Sequence, residues 1–189
     1  MKKLLVAASL GSLILLSGCS SLISATREEP IHEDRGSRTL GSYLEDEIIE
    51  TKTLVNLNKG SIGLRNAHVG ATSYNGLVLL TGQVPSTATR DEAERITSQI
   101  REVRKVHNEL EIAGPTSSIV RSNDIYLTSR VKLQLLAERN IEGSRIKVVT
   151  ENSTVFLMGL VTQKEADIAV RLVRTITGVQ KIVKAFEYI

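Results

Sequence analysis

The chain has 189 residues and a mass of 20.7 kDa, which fits one domain or two small ones. Hydrophobic residues make up 41% of the sequence and charged residues 24%, so the composition excludes wholesale disorder. The formal net charge of +3 is too small to indicate a nucleic-acid-binding protein. The single cysteine excludes an internal disulfide framework and an all-cysteine metal site.

Residues 1–18 are predicted to be a lipoprotein signal peptide. Two lysines near the start precede an apolar run over residues 4–16, which is too short to span a bilayer as a helix. The sequence Leu-Ser-Gly-Cys at residues 16–19 resembles the lipobox of bacterial lipoproteins, in which the cysteine becomes the acylated mature N-terminus. Cys19 is therefore the predicted lipidation site. The alternative is a free thiol after an ordinary signal peptide.

The lipobox resemblance implies a protein anchored by its N-terminal lipid in the outer membrane and facing the periplasm. In enteric lipoproteins an aspartate after the cysteine favours retention in the inner membrane, whereas this chain has Ser20. Several acyl chains together hold a protein to a membrane almost irreversibly. Residues 19–39 are polar and show no helical or strand periodicity, so they are predicted to form a lipidated tether.

The remaining sequence contains two copies of one repeat unit. GLVLLTGQV at residues 76–84 is answered by STVFLMGLV at residues 153–161, and the same order of elements surrounds both. Each unit is predicted as helix-strand-strand-helix-strand, with two helices packed on a three-stranded sheet. The fold class is therefore α/β (α+β), with domains at residues 40–113 and 119–189. The Gly- and Pro-containing segment 114–118 is the predicted linker.

The first helix of each unit repeats one buried face. Its positions are spaced as one side of a helix and recur between the units: Asp46, Ile49, Thr53 and Leu57 match Asp124, Leu127, Val131 and Leu135. The aspartate that leads each set is interpreted as an N-cap or first-turn residue. The neighbouring acidic residues (Glu45, Glu47 and Glu50) are interpreted as a helix start favoured by the macrodipole rather than as catalytic carboxylates.

Turns and glycines also recur. Asn75-Gly76 and Asn152-Ser153 are predicted hairpin turns between the first two strands. Three glycines are predicted to be structural: Gly82, Gly159 and Gly178. Gly159 is interpreted as a close approach to its strand, and Gly178 as a turn residue with positive φ.

The Asp-led helix, the V-x-L-x-G-x-V second strand and the Gly-Val turn before the last strand resemble the BON domain. This is a small α/β module of bacterial envelope proteins that is proposed to bind phospholipid. The first unit departs from the pattern, because Glu102 stands where the turn glycine is expected. A lipobox followed by two BON domains resembles dual-BON lipoproteins. That resemblance implies a role in outer-membrane integrity and enrichment at the division site.

The sequence gives no indication of an enzyme, a cofactor or a metal. It lacks nucleotide-binding glycine motifs, and its histidines, at positions 32, 68 and 107, are not at metal-ligand spacing. The chain is therefore predicted to be non-enzymatic.

The two units differ in charge. Residues 40–113 hold eight Lys and Arg against ten Asp and Glu, a formal charge of −2, whereas residues 117–189 hold eleven against seven, a charge of +4. An anionic membrane surface attracts the second unit and repels the first. Anionic phospholipids are therefore the predicted ligands of the second unit.

The first helix of the second unit has more apolar positions than one buried face needs. The predicted phospholipid-binding residues are those beside its buried face: Tyr126, Arg130, Lys132, Leu133, Leu136 and Arg139. A tyrosine ring suits the membrane interface, and basic side chains suit lipid phosphates. The alternative is that Tyr126 and Leu133 pack against the first domain. The matching helix of the first unit is predicted to be a poor membrane face, because its outer residues are charged.

The predicted function is that of a lipid-anchored periplasmic protein whose second BON domain binds anionic phospholipid and supports outer-membrane integrity. One alternative is a protein-interaction module that acts on the outer-membrane assembly machinery. Another is a glycan binder, which the aromatic content of only 3% disfavours.

Overall fold

The structure is a computed structural model that describes residues 36–189. The predicted signal peptide (1–18), the predicted lipidation site Cys19 and the tether as far as residue 35 lie outside the described residues.

The first repeat unit forms a small α/β domain with the predicted order of main elements. Its helices are α1 (Leu40–Asn58), α2 (Ile62–Arg65) and α3 (Thr87–Ser98). Its strands are β1 (His68–Tyr74), β2 (Leu77–Val84), β3 (Lys105–Asn108) and β4 (Glu111–Ile112). β1 pairs antiparallel with β2, while β3 and β4 both pair parallel with β2. The short helix α2 is an addition to the prediction.

The second unit repeats this architecture. Its elements are α4 (Ser118–Ala137), β5 (Lys147–Glu151), β6 (Thr154–Val161), α5 (Gln163–Arg174) and β7 (Lys181–Tyr188). The sheet order is β5-β6-β7, with the first pair antiparallel and the second parallel. The predicted fold class, two tandem small domains of mixed α/β structure, is confirmed.

The buried faces of the two long helices agree with the repeat. The buried residues of α1 are Asp46, Ile49, Thr53 and Leu57, and those of α4 are Asp124, Leu127, Val131 and Leu135. Each face packs on its own sheet in a separate hydrophobic cluster.

The predicted helix starts are wrong. α1 begins at Leu40, after Thr39, and α4 begins at Ser118, after Ser117. In both helices the hydroxyl of the preceding residue accepts a backbone N–H of the first turn, which is the usual capping contact. Asp46 and Asp124 therefore lie inside their helices and cap neither of them. The acidic residues of α1 likewise begin only in its second turn, beyond the strongest part of the macrodipole.

The central strands are apolar on both faces, because each sheet is covered on both sides. In β2, Val78 and Leu80 face the helices of their own domain, whereas Leu77 and Leu79 belong to another cluster. That cluster also contains Tyr74 of β1 and three residues of the second domain: Phe156, Met158 and Ala185. The two sheets therefore pack face to face, and the helices cover their outer faces.

Polar contacts border this inter-domain layer. Gln83 Nε2 donates to Glu151 Oε1 at 2.7 Å, and Arg104 donates to the Glu187 carboxylate at 2.6 and 3.1 Å. Lys147 Nζ donates to Glu50 Oε1 at 2.6 Å. These contacts join side chains of one domain to side chains of the other.

The last strand of the first domain, expected to be continuous, is interrupted between β3 and β4. The pairing with β2 resumes in the same register after the gap, and the interruption lies opposite Gly82. Gly82 has φ of +115°, and a Cβ there would overlap the carbonyl oxygen of His68. The local bend at this glycine accounts for the missing pairs.

The other two glycines occupy different environments. A Cβ at Gly159 would lie 2.8 Å from the backbone oxygen of Arg145, so the chain passes close to β6 at that point. Gly178 has φ of +102° in the turn before β7. Glu102, in the matching turn of the first domain, has no such positive φ. The two turns are therefore built differently.

Candidate functional site

The outward face of α4 carries large apolar side chains. Tyr126, Leu133 and Leu136 are 56%, 68% and 60% exposed. They lie on the side of the helix away from the buried residues Leu127 and Val131. Since the domains meet through their sheets, Tyr126 and Leu133 do not form the inter-domain contact that was the alternative interpretation.

Two further residues extend this face and were missed in the sequence. Ile119 and Ile125 are exposed on α4, and Ile119 lies seven residues before Tyr126, which lies seven before Leu133. The seven-residue spacing is present in the sequence. Ile119 was missed because the helix was expected to begin at Asp124, which lies after it. We call this set the α4 apolar face: Ile119, Ile125, Tyr126, Leu133 and Leu136.

Basic side chains accompany the α4 apolar face. Arg130 Nη1 donates to the Tyr126 hydroxyl at 3.4 Å, and its guanidinium carbon lies 5.7 Å from the centre of the tyrosine ring. Lys132 is exposed on the same helix, whereas Arg139 is exposed just after the helix ends at Ala137. The exposed charged residues of α4, which also include Arg121, are all positive.

A cleft of about 270 Å³ opens near the C-terminal end of α4. Lys132 and Leu136 line it together with side chains from both domains, among them Arg38 and Lys147. Two of these cations are already paired, because Arg38 contacts Asp46 at 2.7 Å and Lys147 contacts Glu50 at 2.6 Å. The third cation, Lys132, is exposed and has no carboxylate partner among the ion pairs of residues 36–189.

A buried aspartate joins α4 to the hairpin turn of its own sheet. The Asp124 carboxylate accepts hydrogen bonds from the backbone N–H groups of Asn152 at 2.9 Å and Ser153 at 2.8 Å. Both turn residues have positive φ, as a tight hairpin turn requires. The aspartate that leads the repeated helix pattern thus binds the predicted hairpin turn, on the same side of α4 as the buried Leu127 and Val131.

The same contact in the first domain is more extensive. Asp46 accepts from the N–H groups of Asn75 and Gly76 at 2.8 and 3.0 Å, and from the Ser73 hydroxyl at 2.7 Å. Burial raises the pKa of the Asp46 carboxyl, but hydrogen bonds led by those from Gly76 and Ser73 outweigh it and hold the pKa below the ordinary 3.8.

The outer face of α1 differs from the prediction. Glu45 and Glu47 are exposed, as expected, but Leu44, Ile48 and Val55 are also 65%, 51% and 46% exposed. α1 is therefore not simply a charged face. The helix starts six residues before Asp46, and this earlier start brings Leu40 and Leu44 onto its surface.

The described residues were also compared with the requirements of a metal site and of a membrane-spanning helix. Within residues 36–189 no three His, Cys, Asp or Glu side chains are placed to hold a metal ion. His68 and His107 lie in β1 and β3, and burial, with Lys105 nearby, lowers the pKa of His107. None of the helices in this range is long and apolar enough to cross a bilayer.

Comparison with known proteins establishes the class of the chain. The model of the BON domain matches residues 45–114 and 123–189, so the chain belongs to the BON-domain family and carries two copies. It is 34% identical to "Outer membrane lipoprotein DolP" of Haemophilus influenzae, over 95% of this chain and 93% of that protein. This is a DolP-like dual BON protein.

Two other relatives match more than three quarters of the chain. The chain is 31% identical to "21 kDa hemolysin" of Actinobacillus pleuropneumoniae, over 80% of this chain and 78% of that protein. It is 24% identical to "Osmotically-inducible protein Y" of Escherichia coli, over 79% of this chain and 75% of that protein. None of the three names is that of an enzyme.

Replacing Asp46 by Asn should destabilise the protein by about 2 kcal/mol at neutral pH, because charged acceptors of backbone N–H groups are lost. The carboxylate contribution is complete above the unfolded pKa of about 3.9 and is lost as the pH falls through the lower folded pKa. The stability difference between wild type and variant should therefore shrink as the pH falls below about 4. Urea unfolding at several pH values measures it.

The matched control is Asp91→Asn, which removes an exposed carboxylate of α3. It should change stability by less than about 0.5 kcal/mol at every pH. Equal stability of the Asp46→Asn variant and wild type at pH 7 would contradict the role assigned to the Asp46 contact.

Proposed function

We propose that this chain is a non-enzymatic outer-membrane lipoprotein that binds anionic phospholipid through the α4 apolar face and supports outer-membrane integrity. The single observation that carries the proposal is that the outward face of α4 is apolar and that its exposed charges are all basic. A helix of this kind suits the plane of a membrane interface.

The expected energetics favour binding to an anionic surface. Each large side chain that enters the acyl boundary contributes up to about 1.5–3 kcal/mol, less where it is only half exposed beforehand. Tyr126 can place its ring among acyl chains and keep its hydroxyl in water. Each basic residue near an anionic surface adds about 1 kcal/mol, which salt weakens. Arg130 and Lys132 supply this attraction on the helix, and Arg139 adds to it just beyond the helix end.

A lipid anchor at Cys19 cooperates with this helix. Extended at about 3.3–3.6 Å per residue, the tether of residues 20–39 reaches about 70 Å at most, so the folded domains can touch the membrane that holds the anchor. The acyl chains concentrate the second domain at the membrane, which makes weak binding by α4 effective. The name of the Haemophilus influenzae relative supports an outer-membrane location. Orientation toward the periplasm and enrichment at the division site are part of the same proposal.

A second proposed activity is contact with proteins of the outer-membrane assembly machinery. The specific observation that favours it is the exposed apolar surface on α1, which lies in the domain with net negative charge. The two activities are compatible, because they use different helices.

Replacing Cys19 by Ala should release the protein from the outer membrane or stall its processing, because no other residue can take the thioether-linked lipid. Membrane fractionation and the mass of the mature protein measure this. Ser21→Ala, two residues away, should be processed and localised as wild type is. A Cys19→Ala protein that fractionates fully with the outer membrane would contradict the anchor.

Replacing Tyr126 by Glu should weaken binding to vesicles that contain phosphatidylglycerol by at least about tenfold. The reason is that a charged side chain placed among the acyl chains costs a few kcal/mol. The measurement is co-sedimentation of residues 20–189 without the acyl chains. This fragment contains every described helix and strand, so it should fold without the lipid. Circular dichroism verifies that wild type and variant are folded.

The matched control is Ile48→Glu, at the equivalent position of α1. It adds the same charge to the same kind of exposed site and should leave vesicle binding unchanged. Wild-type binding by a folded Tyr126→Glu variant would contradict the assignment to α4. Equal losses in both variants would contradict the distinction between the two helices.

A further inference from the structure

α1 carries a second exposed apolar stripe, on the side away from its own sheet. We call it the α1 apolar face: Leu40, Leu44, Ile48 and Val55. Spacings of four, four and seven residues place these side chains in one row along the helix. The row extends over about 22 Å at 1.5 Å per residue. This is the length of a contact with one helix of a partner.

The free charges beside this row are negative. Glu45 and Glu47 are exposed, and no ion pair within residues 36–189 engages either of them. The nearby Lys52 is paired with Glu102 at 3.2 Å, and Glu50 is paired with Lys147 at 2.6 Å. The α1 apolar face is therefore bordered by uncompensated carboxylates.

The duplicated helices thus present the same kind of apolar row with opposite charges. Ile48 and Val55 of α1 match Tyr126 and Leu133 of α4 in the repeat. An anionic membrane attracts the basic residues beside the α4 row and repels Glu45 and Glu47 beside the α1 row. A contiguous exposed apolar surface with a polar border is typical of a protein-interaction site. Charge complementarity then determines which surface fits it.

We infer that the α1 apolar face is the docking surface for a protein that presents an apolar helix or groove edged by Lys and Arg. The inference makes the second proposed activity more specific by naming the surface and the partner chemistry. It does not depend on lipid binding by α4. A contact confined to one row of a single helix buries a small area, so it belongs to the small, transient class of interfaces. Complementary charges at its border mainly govern the association rate and the choice of partner.

The test uses the full-length lipidated protein in cells, with a photo-crosslinking amino acid at Ile48. The expected adduct is with a protein other than this chain, and its crosslinked peptide, identified by mass spectrometry, should be apolar with flanking Lys or Arg. Reversing both charges, as Glu45→Lys with Glu47→Lys, should reduce the adduct by about tenfold or more. The matched control, Asp91→Lys with Asp167→Lys, makes the same change in net charge at exposed sites on α3 and α5 and should leave the adduct intact.

Four outcomes would overturn the inference. They are adducts with phospholipid alone, adducts with a second copy of this chain, a partner peptide bordered by acidic residues, and equal loss of the adduct in the control. A crosslinker at Tyr126, scored in parallel, reports on lipid contact by α4. The charge-reversed protein should keep its lipid adduct there. Failure of the α1 docking surface is therefore distinguishable from failure of lipid binding.

Discussion

The packing of β2 against β6 is the contact on which the rest of the structure depends. Leu79 and Met158 are fully buried between the two sheets, so neither sheet keeps a free face for a ligand or partner. Each domain then has its helices on the surface, over the far side of its sheet. The exposed rows on α1 and α4 are thereby the surfaces left for recognition. A pair of domains that met through their helices would bury those same rows.

One buried aspartate joins each long helix to a turn of its own sheet. Asp46 and Asp124 bind the N–H groups of tight turns whose residues have positive φ. Because this contact with the turn and the buried faces recur in both domains, both helices turn an equivalent side outward. Sequence divergence has then changed the charge beside that side, basic on α4 and acidic on α1. The duplicated fold accordingly supports two different surfaces in one chain.

The internal repeat was enough to predict the fold and the buried helix faces. The helix starts required a different signal, the hydroxyl residues Thr39 and Ser117, because the aspartates act through a tertiary contact that local capping rules do not describe. This error concealed Ile119 and Leu44, and with Leu44 much of the α1 apolar face. The unbroken apolar run at residues 77–80 indicated that both faces of the sheet are covered, because a strand buried on one face only would alternate apolar and polar residues. Which sheet would cover it depends on contacts between residues far apart in the chain.

Membrane contact by α4 is tested most directly by mapping the membrane-contacting residues with nuclear magnetic resonance. Residues 20–189 are added to bicelles containing phosphatidylglycerol with a spin label in its acyl chain, and the line broadening of each amide is measured. We expect broadening concentrated on α4 around Tyr126 and Leu133, with α1 unaffected. Broadening centred on α1, or equal on both helices, would contradict the assignment of the membrane surface to the second domain.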